Sequence, residues 1–458
     1  MAIRLAGKRG PVGPAGPSPL VITTAGASAA TINSLIAGVA GTIGARTGGG
    51  RVILPSGTYN VDTPILLKQH VVLEGEGPGT ILVNGGLAAG EAVVQNSADG
   101  DRRFGLRNLA IDATDADYGL HLDTPDTPGG QEYSDGIYTI SDVEIFDADL
   151  DGVWLEGRGQ AIVRNMRVRD SGRHGYVIDA VDSIYDGLEA GGVGSAGIVV
   201  RGSNNRLNNC KTFWSGAITA ADGHGIWFDG SLGGQHCVMS NCETQDNNAH
   251  GVFFDGFHDV RVETHISEGN NAGNYSAANQ GGCGYYIDAA SDIKIEGSAF
   301  GRVSNTQDQR YAIGMANGAE NLKAIIYSAN NQTGHIQNGW HWATDIRINN
   351  YDGNQAISYS ASRTPDPTLG RKMLIGPLTN NITINNVAAA NWAVGHELII
   401  MVLQDGSGGR TVTWGSEYAT GGFTPTTTAN YLNIYQFVRD DAAWVLVSGR
   451  AMDYTAFV

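Results

Sequence analysis

The sequence predicts an all-β chain: a solenoid of the parallel β-helix type, preceded by a short collagen-like segment and followed by a small antiparallel β domain. Three observations carry this. A glycine-led core of six residues recurs seven times between residues 119 and 289. Glycine supplies 65 of the 458 residues, about twice its usual ~7% share. Charged residues make up only 16%, against a typical ~25%, a profile of many short strands and turns.

From the N-terminus, residues 7–18 read GKRGPVGPAGPS, with Gly7, Gly10, Gly13 and Gly16 at the period that lets three chains pack about one axis. The alternative is a flexible Pro/Gly linker. We take 1–20 as this segment and 21–48 as a capping region. Within it, Ile32, Leu35, Ile36, Val39 and Ile43 fall at helical spacing on one face. Short β-rich runs punctuated by Gly, Pro and Asn then open the solenoid, assigned to 49–335.

The cores are GLHLDT at 119, GVWLEG at 152, GYVIDA at 175, GIVVRG at 197, GIWFDG at 225, GVFFDG at 251 and GYYIDA at 284. Their glycines lie 33, 23, 22, 28, 26 and 33 residues apart. A period in the twenties with insertions is the mark of stacked coils. Each coil leaves apolar strand faces uncovered at both ends, so neighbours must stack and the ends need caps. Second strands lie between the cores, led by a polar column (Asp142, Asn165, Asn209, Asn241) just before an apolar one (Val143, Met166, Cys210, Cys242). The polar column reads as structural, with side chains bonding along the solenoid axis. After about residue 336 the repeat fades. Residues 336–369 read as a linker or neck, and 370–458 as a β-sandwich-like domain with strands such as HELIIMVLQ, YLNIYQFVR and AAWVLVSG.

The run GGGRVILPSGTYNV…ILL…VVLEGEGPGTIL resembles the opening of the pectate-lyase-like right-handed β-helix family, as found in phage tail spikes. With the coils that follow, the resemblance covers about residues 27–335; the paired Asp usual before the capping helix is missing. The run GGRTVTWGSEYATGGFTPTTTANYLNIYQFVRDDAAWVLV resembles the terminal β module of phage tail and fibre proteins, and the collagen-like start is similar to that of tail fibres. Together these imply a homotrimeric virion tail protein that meets a bacterial surface glycan and joins a tail or baseplate protein through its N-terminus.

The net charge of −17, with no basic cluster beyond GKRG, argues against nucleic acid as a partner. No segment approaches the ~20 apolar residues that cross a bilayer, so membrane insertion is not expected. The start lacks the apolar core of a signal peptide, which points to synthesis in a host cytoplasm. Cys210, Cys237, Cys242 and Cys283 match no zinc or CxxC spacing and read as buried thiols. His250, His258 and His265 cluster in sequence without a metal-binding pattern and read as solvated. No cofactor or metal is expected.

Strand side chains alternate between faces, and apolar residues hold one face in all seven cores. The other face reads His121, Trp154, Val177, Val199, Trp227, Phe253, Tyr286 and, two residues on, Asp123, Glu156, Asp179, Arg201, Asp229, Asp255, Asp288. Three readings of this aromatic and acidic pair of columns stand open: a sugar-binding groove, a subunit interface, and turn chemistry that favours Asp at strand ends. On the groove reading, Trp154, Trp227, Phe253 and Tyr286 hold sugar rings, and Glu156, Asp288 and Arg201 bind hydroxyls. Glycosidic hydrolysis needs an acid and a carboxylate, ~5 Å apart in retaining enzymes and ~6.5–9.5 Å in inverting ones. Asp229 and Asp255 are the candidate pair, with Glu243 in reserve and the insertion SEGNNAGNYSAANQGGCG as a wall. Arg201 is the one candidate base for a lyase. A non-catalytic adhesin or structural fibre is the alternative.

Overall fold

The computed structural model describes residues 20–40, 49–96, 103–124, 138–157, 160–271, 282–301, 309–316, 319–331, 343–350, 355–357, 359–365, 372–388 and 397–453. The collagen-like triplets and Ile43 lie outside them.

All seven cores become strands of one ten-stranded parallel sheet. The same sheet also takes in Ile65–Leu67 and Ala92–Asn96 before them and Tyr311–Met315 after them. The register matches the alignment of the cores: Trp227 faces Phe253, which faces Tyr286, and Asp229 faces Asp255, which faces Asp288. The interstitial strands, such as Thr139–Phe146 and Ile162–Arg169, stack in parallel in a second sheet of 18 strands. This is the expected parallel β-helix.

The opening glycine of each core is there because nothing larger fits. A Cβ added to Gly119, Gly152, Gly175, Gly197, Gly225, Gly251 or Gly284 would stand 2.5–2.9 Å from the carbonyl oxygen of the next coil. The apolar face of each core then points inward: Val153, Leu155, Ile226, Phe228, Val252 and Phe254 are buried. The rings of Phe228 and Phe254 stack 5.3 Å apart at 6°.

The polar column marks a sharp bend. Asn108, Asp142, Asn165, Asn209, Asn241 and Thr264 all have φ between 48° and 57°, the left-handed region that Asn and Asp tolerate best. Their side chains also bond between coils: Asn165 Nδ2 donates to Asp142 Oδ1 (3.1 Å) and Thr264 Oγ1 to Asn241 Oδ1 (2.7 Å).

The expected cap is a helix, Ala29–Val39, which buries Ala29, Ile32, Ile36 and Val39 against the first coils. Ser28 starts it by accepting the Thr31 N–H. Asn33 then covers the edge strand Ile65–Leu67, accepting the Leu66 N–H at 2.8 Å and donating to Pro64 O at 2.8 Å. An open sheet edge is a template for unwanted pairing, and this helix closes one.

The C-terminal part of the chain adds to the sequence reading in two ways. The stretch taken as a linker, 336–369, carries strands: Ala343–Asn350 pairs with Leu322–Ala329 of the solenoid, and Gln355–Ile357 pairs forward with Lys372–Leu378. The C-terminal sheet contains the expected antiparallel pairing, Glu397–Gln404 with Tyr431–Arg439 and that strand with Trp444–Asp453. It is mixed rather than purely antiparallel, however, because Gln355–Ile357 and Lys372–Leu378 enter it in parallel. A second, three-stranded parallel sheet, Ser362–Arg363, Ile382–Ile384 and Val412–Trp414, catches the chain on each return. Parallel strands need such long crossovers, whereas the short Asp440–Ala443 turn permits a hairpin. Both sheets share one core of Ile375, Ile384, Ile400, Phe437 and Trp444.

No helix among the described residues is long and apolar enough to cross a membrane. The four cysteines are free and buried.

Candidate functional site

The outward columns of the ten-stranded sheet form the candidate site. Trp154 stands at one end, stacked on His121 at 4.7 Å and 11°, with its Nε1 donating to Asp179 Oδ2 at 3.0 Å. Glu156 lies 3.4 Å from His121 Nε2. Burial raises the Glu156 carboxyl above its ordinary range; His121 opposes that, and Asp123 and Asp179 add to it.

Two valines interrupt the aromatic column. Val177 and Val199, expected on the open face, are buried. Beyond them Trp227, Phe253 and Tyr286 continue, with ring centroids 5.9 and 5.7 Å apart.

A second row of rings covers this part of the column. His174, His224 and His250 each precede a core glycine and are buried. His224 lies 5.6 Å from Trp227 and 4.6 Å from Phe253, and His250 stacks flat on Tyr286 at 4.4 Å and 2°. Each histidine Nδ1 accepts a backbone N–H from the next coil: His174 from Ala196 (3.2 Å), His224 from His250 (3.4 Å) and His250 from Cys283 (3.0 Å). Burial holds His174 down to about 4 and His250 to about 3, and pulls His224 well below its usual value. The reading of His250 and His265 as solvated is therefore corrected. Both are buried, and His265 binds Tyr285 Oη at 2.9 Å; only His258 is exposed. Tyr286, only 2% exposed, offers no open ring face for a sugar. The signal for the histidine row was the HG pair repeated at 174, 224 and 250. It was missed because in-and-out alternation does not carry across the bend at the glycine.

In the acidic column, Arg201 sits between two aspartates, as expected. Its Nε donates to Asp229 Oδ2 at 2.6 Å, and its Nη1 lies 3.7 Å from Asp179. Asp229 Oδ1 accepts the Ser231 N–H at 2.9 Å. Burial pushes the Asp229 carboxyl up, but Arg201 and Ser231 outweigh it and hold the group below its ordinary range. Asp255 behaves oppositely. Burial raises it first, and the charges of Asp229 and Asp288 on either side raise it further. It accepts no hydrogen bond among the described residues. Burial also raises Asp288.

Glu243 is not brought to this pair. It lies on the other sheet, in register with Lys211, to which it bonds at 3.1 Å. Most of the insertion expected to wall the groove, 272–281, lies outside the described residues. Among the described residues no group of His, Cys, Asp and Glu is arranged to hold a metal ion.

With this geometry in hand, comparison with known proteins bears on the fold. Full-length tailspike protein 2 from Escherichia coli O157:H7 bacteriophage CAB120 is similar at 13% identity, with a TM-score of 0.53, over 93% of this chain and 61% of that one. The enzymatically active domain of bacteriophage CBA120 tailspike protein 2 is similar at 14% identity, with a TM-score of 0.51, over 88% of this chain and 65% of that one. The chain thus spans less than two thirds of either tailspike structure. The mannuronan C-5 epimerase AlgE6 A-module of Azotobacter vinelandii matches at 16% identity over 70% of this chain and 95% of that one, with a TM-score of 0.48. No curated protein sequence matches the chain. Residues 130–273 match the right handed beta helix region, and residues 363–441 match the putative phage tail fibre C-terminal domain. The chain therefore joins a right-handed parallel β-helix to a C-terminal region similar to the putative phage tail fibre C-terminal domain.

Proposed function

We propose that this protein is a phage tail receptor-binding protein that grips a bacterial surface polysaccharide and hydrolyses it on the outer face of the ten-stranded sheet. One observation carries the hydrolytic part: two carboxylates in register on adjacent coils are tuned in opposite directions. Asp229 is held ionised by Arg201, while Asp255 is pushed toward its protonated form. Environments that push two acids apart define a general acid and its partner. Asp255 would protonate the glycosidic oxygen, and Asp229 would face the positive charge that develops on the sugar ring. Adjacent coils stand ~4.8 Å apart, near the ~5–5.5 Å separation of retaining enzymes. Arg201 is engaged by both its aspartates, which favours hydrolysis over a lyase reaction with arginine as base.

Trp154 with Glu156 at one end, and the open edges of Trp227 and Phe253, would hold the chain of sugars, with Asp288 beyond the acid pair. The protein would assemble as a homotrimer, attach to the tail or baseplate through its N-terminal segment, and be made in the host cytoplasm. A second reading, an adhesin without catalysis, is favoured by one observation: both oxygens of Asp229 are already bonded.

The test is cleavage by Asp255→Asn and Asp229→Asn of a polysaccharide that the wild type cuts. Loss of new reducing ends in both, with binding retained, supports the assignment. Wild-type rates in both would remove it.

A further inference from the structure

Trp214 breaks a rule that every neighbouring coil obeys. At the second bend of six successive coils the chain passes through the left-handed region at Asp147, Asp170, Gly192, Trp214, Asp246 and Gly269, with φ of 60°, 55°, 70°, 55°, 51° and 61°. Residues 170, 192, 214, 246 and 269 are successive positions of one column, each following a registered pair of strand ends. Asp and Gly suit that conformation; a bulky aromatic is an outlier in it. Trp214 nonetheless stands there 62% exposed. Held strain at a surface position points to a function that keeps it.

The ring is also fixed in place. Phe213 meets Trp214 edge-on at 5.2 Å. The Arg169 guanidinium lies 4.7 Å over the Phe213 ring and is anchored in turn by Glu189. Arg169 and Phe213 meet above Gly191, where any Cβ would clash with both. Gln245 stands in register with Phe213 on the next coil. The surrounding face is charged and paired, with Arg167 and Arg169 on Glu189, and Lys211 on Glu243.

We propose that Trp214 is a stacking platform for one sugar ring of a glycan, at a second contact separate from the acidic column. The inference rests on the glycan reading given above. An indole presents a flat apolar face to a pyranose, and the next coil carries Gln245, in register with the neighbouring Phe213, as a polar group for hydroxyls. A second copy of the chain fits less well. Stable interfaces bury about 800 Å² per partner and exclude charge from their centre, whereas the sheet beside this indole carries the ion pairs of Glu189 and Glu243.

The strain gives a clean test. Trp214→Asn restores a residue that suits the bend. Wild type and Trp214→Asn are applied to an immobilised panel of bacterial surface polysaccharides, with melting temperature and sedimentation mass measured alongside. The expected result is binding weakened about tenfold or more, the size of loss of a central aromatic anchor, at unchanged mass and with a melting temperature equal to or above wild type. Equal binding by both proteins overturns the platform and leaves the proposed function standing. A lower mass for the variant assigns Trp214 to a contact between copies and overturns the inference. No binding by the wild type to any polysaccharide of the panel overturns the glycan reading itself, and the inference with it.

Discussion

Acid should unfold this protein through its buried histidines. His174, His224, His250 and His265 are all buried and are held neutral by burial, at about 4 for His174 and about 3 for His250 and His265, with His224 well below its usual value. In the unfolded chain each would titrate near 6.5. A group whose folded pKa is depressed binds its proton first in the unfolded state. Its stability contribution is therefore complete above pH 6.5 and is lost as pH falls toward the folded value. The slope is about 1.36 kcal/mol per pH unit per group. From pH 7.5 to 5.0 each imidazole costs about 2 kcal/mol, and the four together about 8 kcal/mol. That compares with a total stability of about 5–15 kcal/mol for a typical protein. The raised carboxyls of Asp179, Asp255 and Asp288 act in the opposite sense, but lower, in the carboxylate range. The assay is urea unfolding followed by tryptophan fluorescence between pH 7.5 and 5.0. His250→Asn keeps an acceptor for the Cys283 N–H without a titrating ring, so it should remove about a quarter of the slope. Stability that is flat between pH 7.5 and 5.0, or a slope unchanged in His250→Asn, would refute the reasoning.

Three further outcomes follow from the packing. Phe254→Ala empties one ring from the stack with Phe228 and should cost about 3–5 kcal/mol in denaturant unfolding. Gly225→Ala drives a methyl to 2.6 Å from Gly251 O and should cost about 1–3 kcal/mol, while Gly233→Asn, in open space with φ 73°, should change little. Arg201→Ala removes the main restraint on Asp229, so the Asp229 carboxyl, followed by NMR, should titrate at higher pH than in the wild type.

Much of this architecture was legible because stacked coils write themselves into the sequence. The seven cores align in the sheet as they align on paper, since one coil can sit on the next only if glycine opens each core and apolar residues face in. The Asn and Asp column was legible for the same reason: each coil bends at the same place, and few residues tolerate that bend. The histidine row was not, because a residue before the bend leaves the strand's alternation, and only the neighbouring coil shows what it covers. The three readings of the aromatic column missed that outcome: Tyr286 is buried by its own chain, and Trp227 and Phe253 are partly covered by it. Trp214 was passed over because one aromatic at a strand end carries no pattern until its backbone angle is known. The strands within 336–369 and the mixed C-terminal sheet depend on long-range pairing, which local composition does not reveal.

The most direct measurement mixes the purified protein with surface polysaccharide from bacteria to which it adsorbs, and follows reducing ends and unsaturated uronic acid together. The account predicts new reducing ends without an unsaturated product, and their loss in Asp255→Asn. Unsaturated product would contradict it in favour of a lyase, and adsorption with neither signal would leave the acidic column as architecture alone.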